Sequence, residues 1–177
     1  RGKISCTVYD GITENPLLSS CEEAAALAAE KKAAFVVGIG GGSPLDAAKA
    51  IAALAANPGL DREGFFQKAW KNPPLPIVLI GTTSGTGSEV SPTSVLTVDG
   101  VKKSVSGPEL YASLAIANPA YTGTMSYNTT VSTGLDAFCH AVEGYFSPAC
   151  DDISGYLAEK AMPMVYRGLK MMRPEME

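Results

Sequence analysis

Three stretches of this sequence hold residue types that can do chemistry. The first is Gly38-Ile39-Gly40-Gly41-Gly42-Ser43-Pro44-Leu45-Asp46-Ala47-Ala48-Lys49, in which three consecutive glycines separate an apolar run from an alanine-rich one. Glycine lets a backbone approach an anion closely, and a helix start presents N–H groups with a partial positive charge. The spacing gives neither G-x-x-x-x-G-K-[ST] nor a full G-x-G-x-x-G, so it predicts a phosphate cradle of another kind, with a tight glycine turn as the alternative. The second stretch, residues 81–89, packs three glycines and five hydroxyls into nine positions. Hydroxyls and exposed N–H groups hold a ribose, an amide or phosphate oxygens without fixed charge, although such loops also serve as plain connectors. The third is Gly134-Leu135-Asp136-Ala137-Phe138-Cys139-His140-Ala141-Val142-Glu143. Asp136 and His140 are four apart and share a helix face. A carboxylate and an imidazole so placed can bind Zn²⁺ or Fe²⁺, form an ordinary ion pair, or act as an Asp orienting a His. His140 is the one histidine in the chain, and a catalytic metal centre needs three or more protein donors.

The elements that must position these groups follow from pattern. Residues 34–39 read as a buried strand and residues 45–56 as the helix behind the glycines. Ser43 is the expected N-cap, Pro44 the first helical residue and Asp46 the partner that completes a capping box. The hydroxyl loop follows a second apolar run, residues 77–80, of buried parallel-strand character. Both loops are therefore expected at one carboxyl edge of an open α/β sheet, where ligands bind. Residues 4–9 alternate as a strand, residues 19–32 read as a helix, and residues 61–70 as a short helix with Phe65, Phe66 and Trp70 in packing roles. Residues 93–98 and 102–106 flank Asp99-Gly100 as a hairpin, and residues 114–117 give one more strand. From residue 126 two helices, 126–147 and 153–169, are separated by Ser147-Pro148-Ala149. The expected division is an α/β domain over residues 1–125 and a helical domain over residues 126–177.

Bulk properties narrow the field. Of 177 residues, 46% are hydrophobic and 18% charged, which fits a folded protein. The net charge of −4 and the lack of basic runs argue against nucleic acid. No apolar run approaches the ~20 residues of a membrane span. Cys6, Cys21, Cys139 and Cys150 are scattered, and reduced thiols in a cytoplasmic protein are expected.

Taken together, residues 40–49, 82–90 and 133–143 resemble the iron-containing (group III) alcohol dehydrogenases in order and spacing, and Asn118-Pro119 falls where that family often has Asp-Pro. The resemblance implies a Rossmann-like α/β nucleotide-binding domain followed by the start of an all-helical metal-binding domain, the dehydroquinate synthase-like architecture. It implies NAD or NADP as cofactor, with the pyrophosphate on Gly41, Gly42 and Ser43 and Asp46 in the same motif. Thr82, Thr83 and Ser91 would line the ribose and nicotinamide, and Lys103, Tyr121, Thr122 and Met125 would complete the nucleotide contacts. Asp136 and His140 match the first two of four metal ligands, for Fe²⁺ or alternatively Zn²⁺. The other two ligands are histidines expected beyond Glu177, and the opening strands are expected before Arg1, which makes the chain an internal segment of a longer enzyme. The implied activity is reversible hydride transfer between a small-molecule substrate, an alcohol (or its aldehyde or ketone), and the nicotinamide, by a homo-oligomer when full length. Two alternatives stand beside it: a catalytically inactive nucleotide-binding fragment, and a polyol or hydroxyacid dehydrogenase of the same superfamily.

Overall fold

The computed structural model describes residues 5–173, which fold as two units. The first comprises the chain up to Gly81 together with Ser88–Ala117. Its elements in order are α1 (Leu18–Glu30), β1 (Val36–Gly40), α2 (Gly42–Ala56), the short α3 (Arg62–Phe66), β2 (Ile77–Gly81), β3 (Thr93–Val98), β4 (Val101–Ser106) and β5 (Leu114–Ala117). Strands β1, β2 and β5 form a parallel sheet in that spatial order, while β3 and β4 form a separate antiparallel hairpin. Asp99 and Gly100 turn that hairpin with φ of 51° and 78°, the left-handed pair such tight turns require.

Helix α2 is the centre of this unit. A helix apolar on all sides is a buried one, and α2 is covered on both flanks. Leu45, Ala48 and Ala52 meet Ile77 and Leu79 of the sheet. Ala47, Ala50, Ala53 and Leu54 join Leu18, Cys21, Leu96, Val98 and Val105 from α1 and the hairpin. Alanine permits the close approach: a Cβ built on Gly38 would lie 2.7 Å from Ala48 Cβ and 2.9 Å from Leu79 Cδ2.

Several expectations change. Residues 5–9 form no strand, because alternation is only a propensity and no strand among the described residues pairs with them; Val8 is 81% exposed. The first residue of that expected strand, Ile4, lies outside the described residues, as do residues 174–177. Strand β1 is buried on the α2 side only, with Val37 and Ile39 exposed on the other. The helix expected over residues 61–70 is confined to Arg62–Phe66, because Lys68 adopts a φ of 56°. Asp61 caps it by accepting from Gly64 N at 2.7 Å. Phe65 is fully buried, with Phe66 edge-on at 5.1 Å and Trp70 at 6.1 Å between ring centroids.

The second unit joins Thr82–Gly87 to the chain from Asn118 onward. It contains α4 (Tyr127–Phe146) and α5 (Asp152–Met171). Ser126 caps α4 by accepting from Thr129 N, and Asp151 with Ser154 makes a capping box for α5. The helices cross closely at Gly134, where a Cβ would lie 2.8 Å from Leu169 Cδ2. Among the described residues, no helix is long and apolar enough to cross a membrane.

Candidate functional site

The parallel register decides where the loops emerge. Gly40 of β1 stands opposite Gly81 of β2, and Gly81 opposite Ala117 of β5. Three strands thus end level with one another, and the chain leaves the same carboxyl edge three times: into Gly41–Ser43, into Thr82–Gly87 and into Asn118. That edge is where open α/β sheets receive ligands.

Gly40 has a φ of +147°, and a Cβ there would sit 2.7 Å from Pro44 Cγ, so this position needs glycine on both counts. The helix begins two residues earlier than expected. Gly41 is the N-cap of α2 and makes no side-chain cap bond, so neither Ser43 as N-cap nor the Ser43/Asp46 capping box forms. Pro44 becomes the third helical residue, still among the positions whose N–H no intrahelical carbonyl can accept. Gly42 and Ser43 share that geometry, so their N–H groups and the dipole of a 15-residue helix face the carboxyl edge. Ser43 Oγ accepts from the backbone N–H of Asn15 at 3.3 Å. Asn15, at φ 54°, therefore lies against the glycine turn. From sequence, Asn15-Pro16 reads only as a chain break.

The Asp46 carboxylate is held by protein groups. Its Oδ1 accepts from Ser88 Oγ at 2.5 Å and lies 3.4 Å from Lys49 Nζ; its Oδ2 accepts from Val95 N at 3.0 Å. Lys49 has no exposed surface, and its ammonium also donates to Ser88 Oγ at 2.7 Å and to the Thr93 carbonyl at 2.6 Å. Burial lowers the Lys49 pKa from the ordinary lysine value, opposed by the nearby Asp46 and Glu89 charges. Lys49 and Ser88 were not singled out from sequence. The signal available for Lys49 was a cation inside an otherwise apolar helical run.

Ser91 Oγ accepts from Thr93 N at 3.2 Å, ahead of β3. Lys103, on β4, places its ammonium 5.8 Å from the centre of the Phe66 ring. In the second unit, Tyr121 and Thr122 belong to a single tight turn, with Thr122 Oγ1 donating to the Pro119 carbonyl and Met125 N to the Thr122 carbonyl. The loop carrying Thr82 and Thr83 seats against α4: a Cβ on Gly85 would lie 2.6 Å from the Thr133 carbonyl oxygen. Thr133 is one turn before Asp136. His140 Nε2 and Asp136 Oδ1 are 3.6 Å apart and both side chains are about half exposed. The pair offers one nitrogen and one oxygen donor to a cation. Among the described residues, no group of three His, Cys, Asp or Glu side chains is placed to hold a metal.

Residues 1–119 match the family described as iron-containing alcohol dehydrogenase, and residues 130–176 match the C-terminal region of the Fe-containing alcohol dehydrogenase family. Long-chain-alcohol dehydrogenase 1 of Geobacillus thermodenitrificans is 39% identical over 171 residues, covering 94% of this chain and 43% of that protein. The crystal structure of an iron-containing alcohol dehydrogenase from Thermotoga maritima is 40% identical with a TM-score of 0.88, over 94% of this chain and 46% of that one. A structure of NADH-dependent butanol dehydrogenase A from Thermotoga maritima is 34% identical with a TM-score of 0.81, over 90% and 41%. The chain spans less than half the length of each of these proteins.

Proposed function

This chain belongs to the iron-containing alcohol dehydrogenase family, and from that premise we propose that it supplies the nucleotide-binding half, and two metal ligands, of an NAD(P)-linked alcohol dehydrogenase. The observation that carries the reading is the level ending of β1, β2 and β5, which puts a glycine turn and a helix N-terminus on the ligand edge of a parallel sheet. Gly41, Gly42 and Ser43 hold the cofactor pyrophosphate through backbone N–H groups. Thr82, Thr83 and Ser91 line the ribose and nicotinamide, and Lys103, Tyr121, Thr122 and Met125 add contacts to the nucleotide. The Geobacillus and Thermotoga relatives, named for alcohols and for NADH, support a nicotinamide cofactor and an alcohol or aldehyde substrate.

Asp136 and His140 are the metal ligands in this reading, for Fe²⁺ or Zn²⁺. Their spacing on one face of α4 suits two adjacent coordination positions, and further donors complete the set in the working enzyme. When bound, the cation held by Asp136 and His140 would supply Lewis acidity toward an alcohol oxygen, and the nicotinamide would supply a hydride acceptor. The chain's own residues bind and orient: the N–H groups of α2 neutralise the diphosphate, and α4 fixes the two donors on a rigid element.

Titration of NADH into the 177-residue chain, followed by nicotinamide fluorescence, tests the reading. Saturable binding that ADP displaces is expected, with no alcohol-dependent NADH production from two metal donors alone. Zn²⁺ uptake in equilibrium dialysis should weaken about tenfold in His140→Ala, while NADH affinity stays unchanged. Failure to bind NADH or ADP refutes the nucleotide assignment; unchanged Zn²⁺ uptake refutes the ligand assignment.

A further inference from the structure

We propose that Asp46, Lys49 and Ser88 form a buried positioning element that fixes the start of α2 relative to the segment closing the hydroxyl loop, and so sets the affinity for the cofactor diphosphate without touching it. The inference rests on the nucleotide-binding reading above.

The connections run one way along a chain of donors. Lys49 Nζ donates to Ser88 Oγ, and Ser88 Oγ donates to Asp46 Oδ1. The remaining ammonium hydrogens go to the Thr93 carbonyl and toward Asp46 Oδ1. Asp46 is further engaged by Val95 N on Oδ2 and by Ser94 Oγ on its own backbone carbonyl. The hydrogen-bond partners that Asp46 and Lys49 reach outside α2 lie on the short run Ser88–Val95, which begins directly after the loop's last glycine, Gly87, at φ 61°. Asp46 sits in the first turn and a half of α2, four residues after Gly42. The cluster thus ties the helix start that presents the glycine-turn N–H groups to the exit of the second loop.

Stability alone gives little reason for such a cluster. A buried ion pair is commonly no more stabilising than apolar residues of the same volume, and α2 is otherwise packed with alanine and leucine. A directional network of hydrogen bonds fixes register in a way that alanine packing does not. Small changes at packed positions that touch no ligand modulate affinity through such networks. With both carboxylate oxygens of Asp46 and all three ammonium hydrogens of Lys49 directed at protein groups, their effect on a ligand is exerted through position.

The test uses the full chain with Asp46→Asn, Lys49→Met and Ser88→Ala, measuring NADH and ADP dissociation constants well below each variant's melting temperature. Positioning predicts that all three weaken NADH and ADP together, by about tenfold. A long-range field acting on the anionic diphosphate predicts opposite signs instead: Lys49→Met weakening and Asp46→Asn strengthening. That opposite pattern, or folded variants that bind within twofold of the unaltered chain, overturns the inference while leaving the nucleotide reading intact. Where Lys49→Met fails to fold, Ser88→Ala decides, since it removes the bridging hydroxyl and keeps both charges. If the unaltered chain binds neither NADH nor ADP, the nucleotide reading fails and this inference falls with it.

Discussion

Replacing Gly38 by alanine tests whether the α2–β1 spacing is set by the missing side chain. The added Cβ would lie 2.7 Å from Ala48 Cβ, 2.9 Å from Leu79 Cδ2 and 3.3 Å from the Pro44 carbonyl oxygen. Carbon atoms in contact want about 3.5–4.0 Å, so α2 and β1 must separate by roughly 1 Å. Leu79 can rotate away, but Ala48 and the Pro44 backbone cannot. On its other flank α2 is held by the 2.6 Å and 2.7 Å bonds of Lys49, so a shift strains those as well. Overpacking of this kind costs about 1–3 kcal/mol, and the blocked relaxation places Gly38→Ala near ~3 kcal/mol. For a chain of this size that lowers the melting midpoint by about 6–12 °C. Ala48→Gly alone should cost ~1 kcal/mol through helix propensity. The double variant should be more stable than the sum of the two single effects by about 1–2 kcal/mol, because the Cβ pair no longer meets. Urea denaturation of the four proteins gives the cycle. A Gly38→Ala variant within ~0.5 kcal/mol of the parent, or strictly additive effects, refutes the reasoning.

Two further outcomes follow from buried polar groups. Burial pushes the Cys21 thiol from its ordinary 9.0 to about 12. Below pH 9 the folded and unfolded thiols are both neutral and the contribution is fully present; above it the unfolded thiol ionises first. Stability is therefore lost as pH rises toward about 12, in total about 4 kcal/mol at ~1.4 kcal/mol per tenfold change in proton affinity. Cys21→Ala should flatten this alkaline slope in urea titrations, and iodoacetamide should label Cys6 and Cys139 in the folded protein but Cys21 only after unfolding. Asn57, buried at the end of α2, donates to the Ala53 and Asn72 carbonyls and accepts from Lys71 N and Asn72 N. Asn57→Ala should destabilise by about 2–3 kcal/mol in chemical denaturation, since it strands backbone groups in a partly buried turn. A loss under ~0.5 kcal/mol would mean that water replaces the amide there.

Sequence patterns reached the elements that local chemistry specifies. Strand β5 and the hairpin around Asp99-Gly100 fell within a residue of expectation, because short apolar runs and a positive-φ turn are locally encoded. Ser126 was legible as the start of α4 for the same reason. The failures are non-local. Residues 5–9 have strand composition, but a strand needs a partner and none of the sheet strands pairs with them. The exposure of Val37 and Ile39 depends on which sheet face is covered, and an apolar run cannot report that. Ser43 looked like an N-cap because its type suits the position. The helix instead starts at Gly42, and the Asp46 that a capping box needs is drawn to Ser88 and Val95, more than 40 residues away in sequence. Among the candidate residues, the glycine turn at the head of α2 and the shared α4 face of Asp136 and His140 were readable from spacing. Asn15 and Lys49 were not, since each acquires its place only through contacts distant in the chain.

The Gly38 and Lys49 arguments converge on one property of α2. Its first turns are fixed from two sides by different physics. Toward the sheet, a missing Cβ at Gly38 and a minimal one at Ala48 set the distance to β1 by steric contact. Toward the hairpin, Asp46 and Lys49 set position by directional bonds to Ser88, Thr93 and Val95. Steric contact fixes separation but leaves a helix free to slide or rotate along a smooth alanine surface, whereas hydrogen bonds of defined length resist both motions. An anion held by backbone N–H groups at a helix start is sensitive to sliding and rotation as well as to separation, because the donors point along the helix axis. The apolar face and the buried charges of α2 therefore constrain complementary degrees of freedom of the same glycine turn. Disrupting either should weaken binding at the proposed diphosphate site, and only the polar half should do so without a matching change in the β1–α2 spacing.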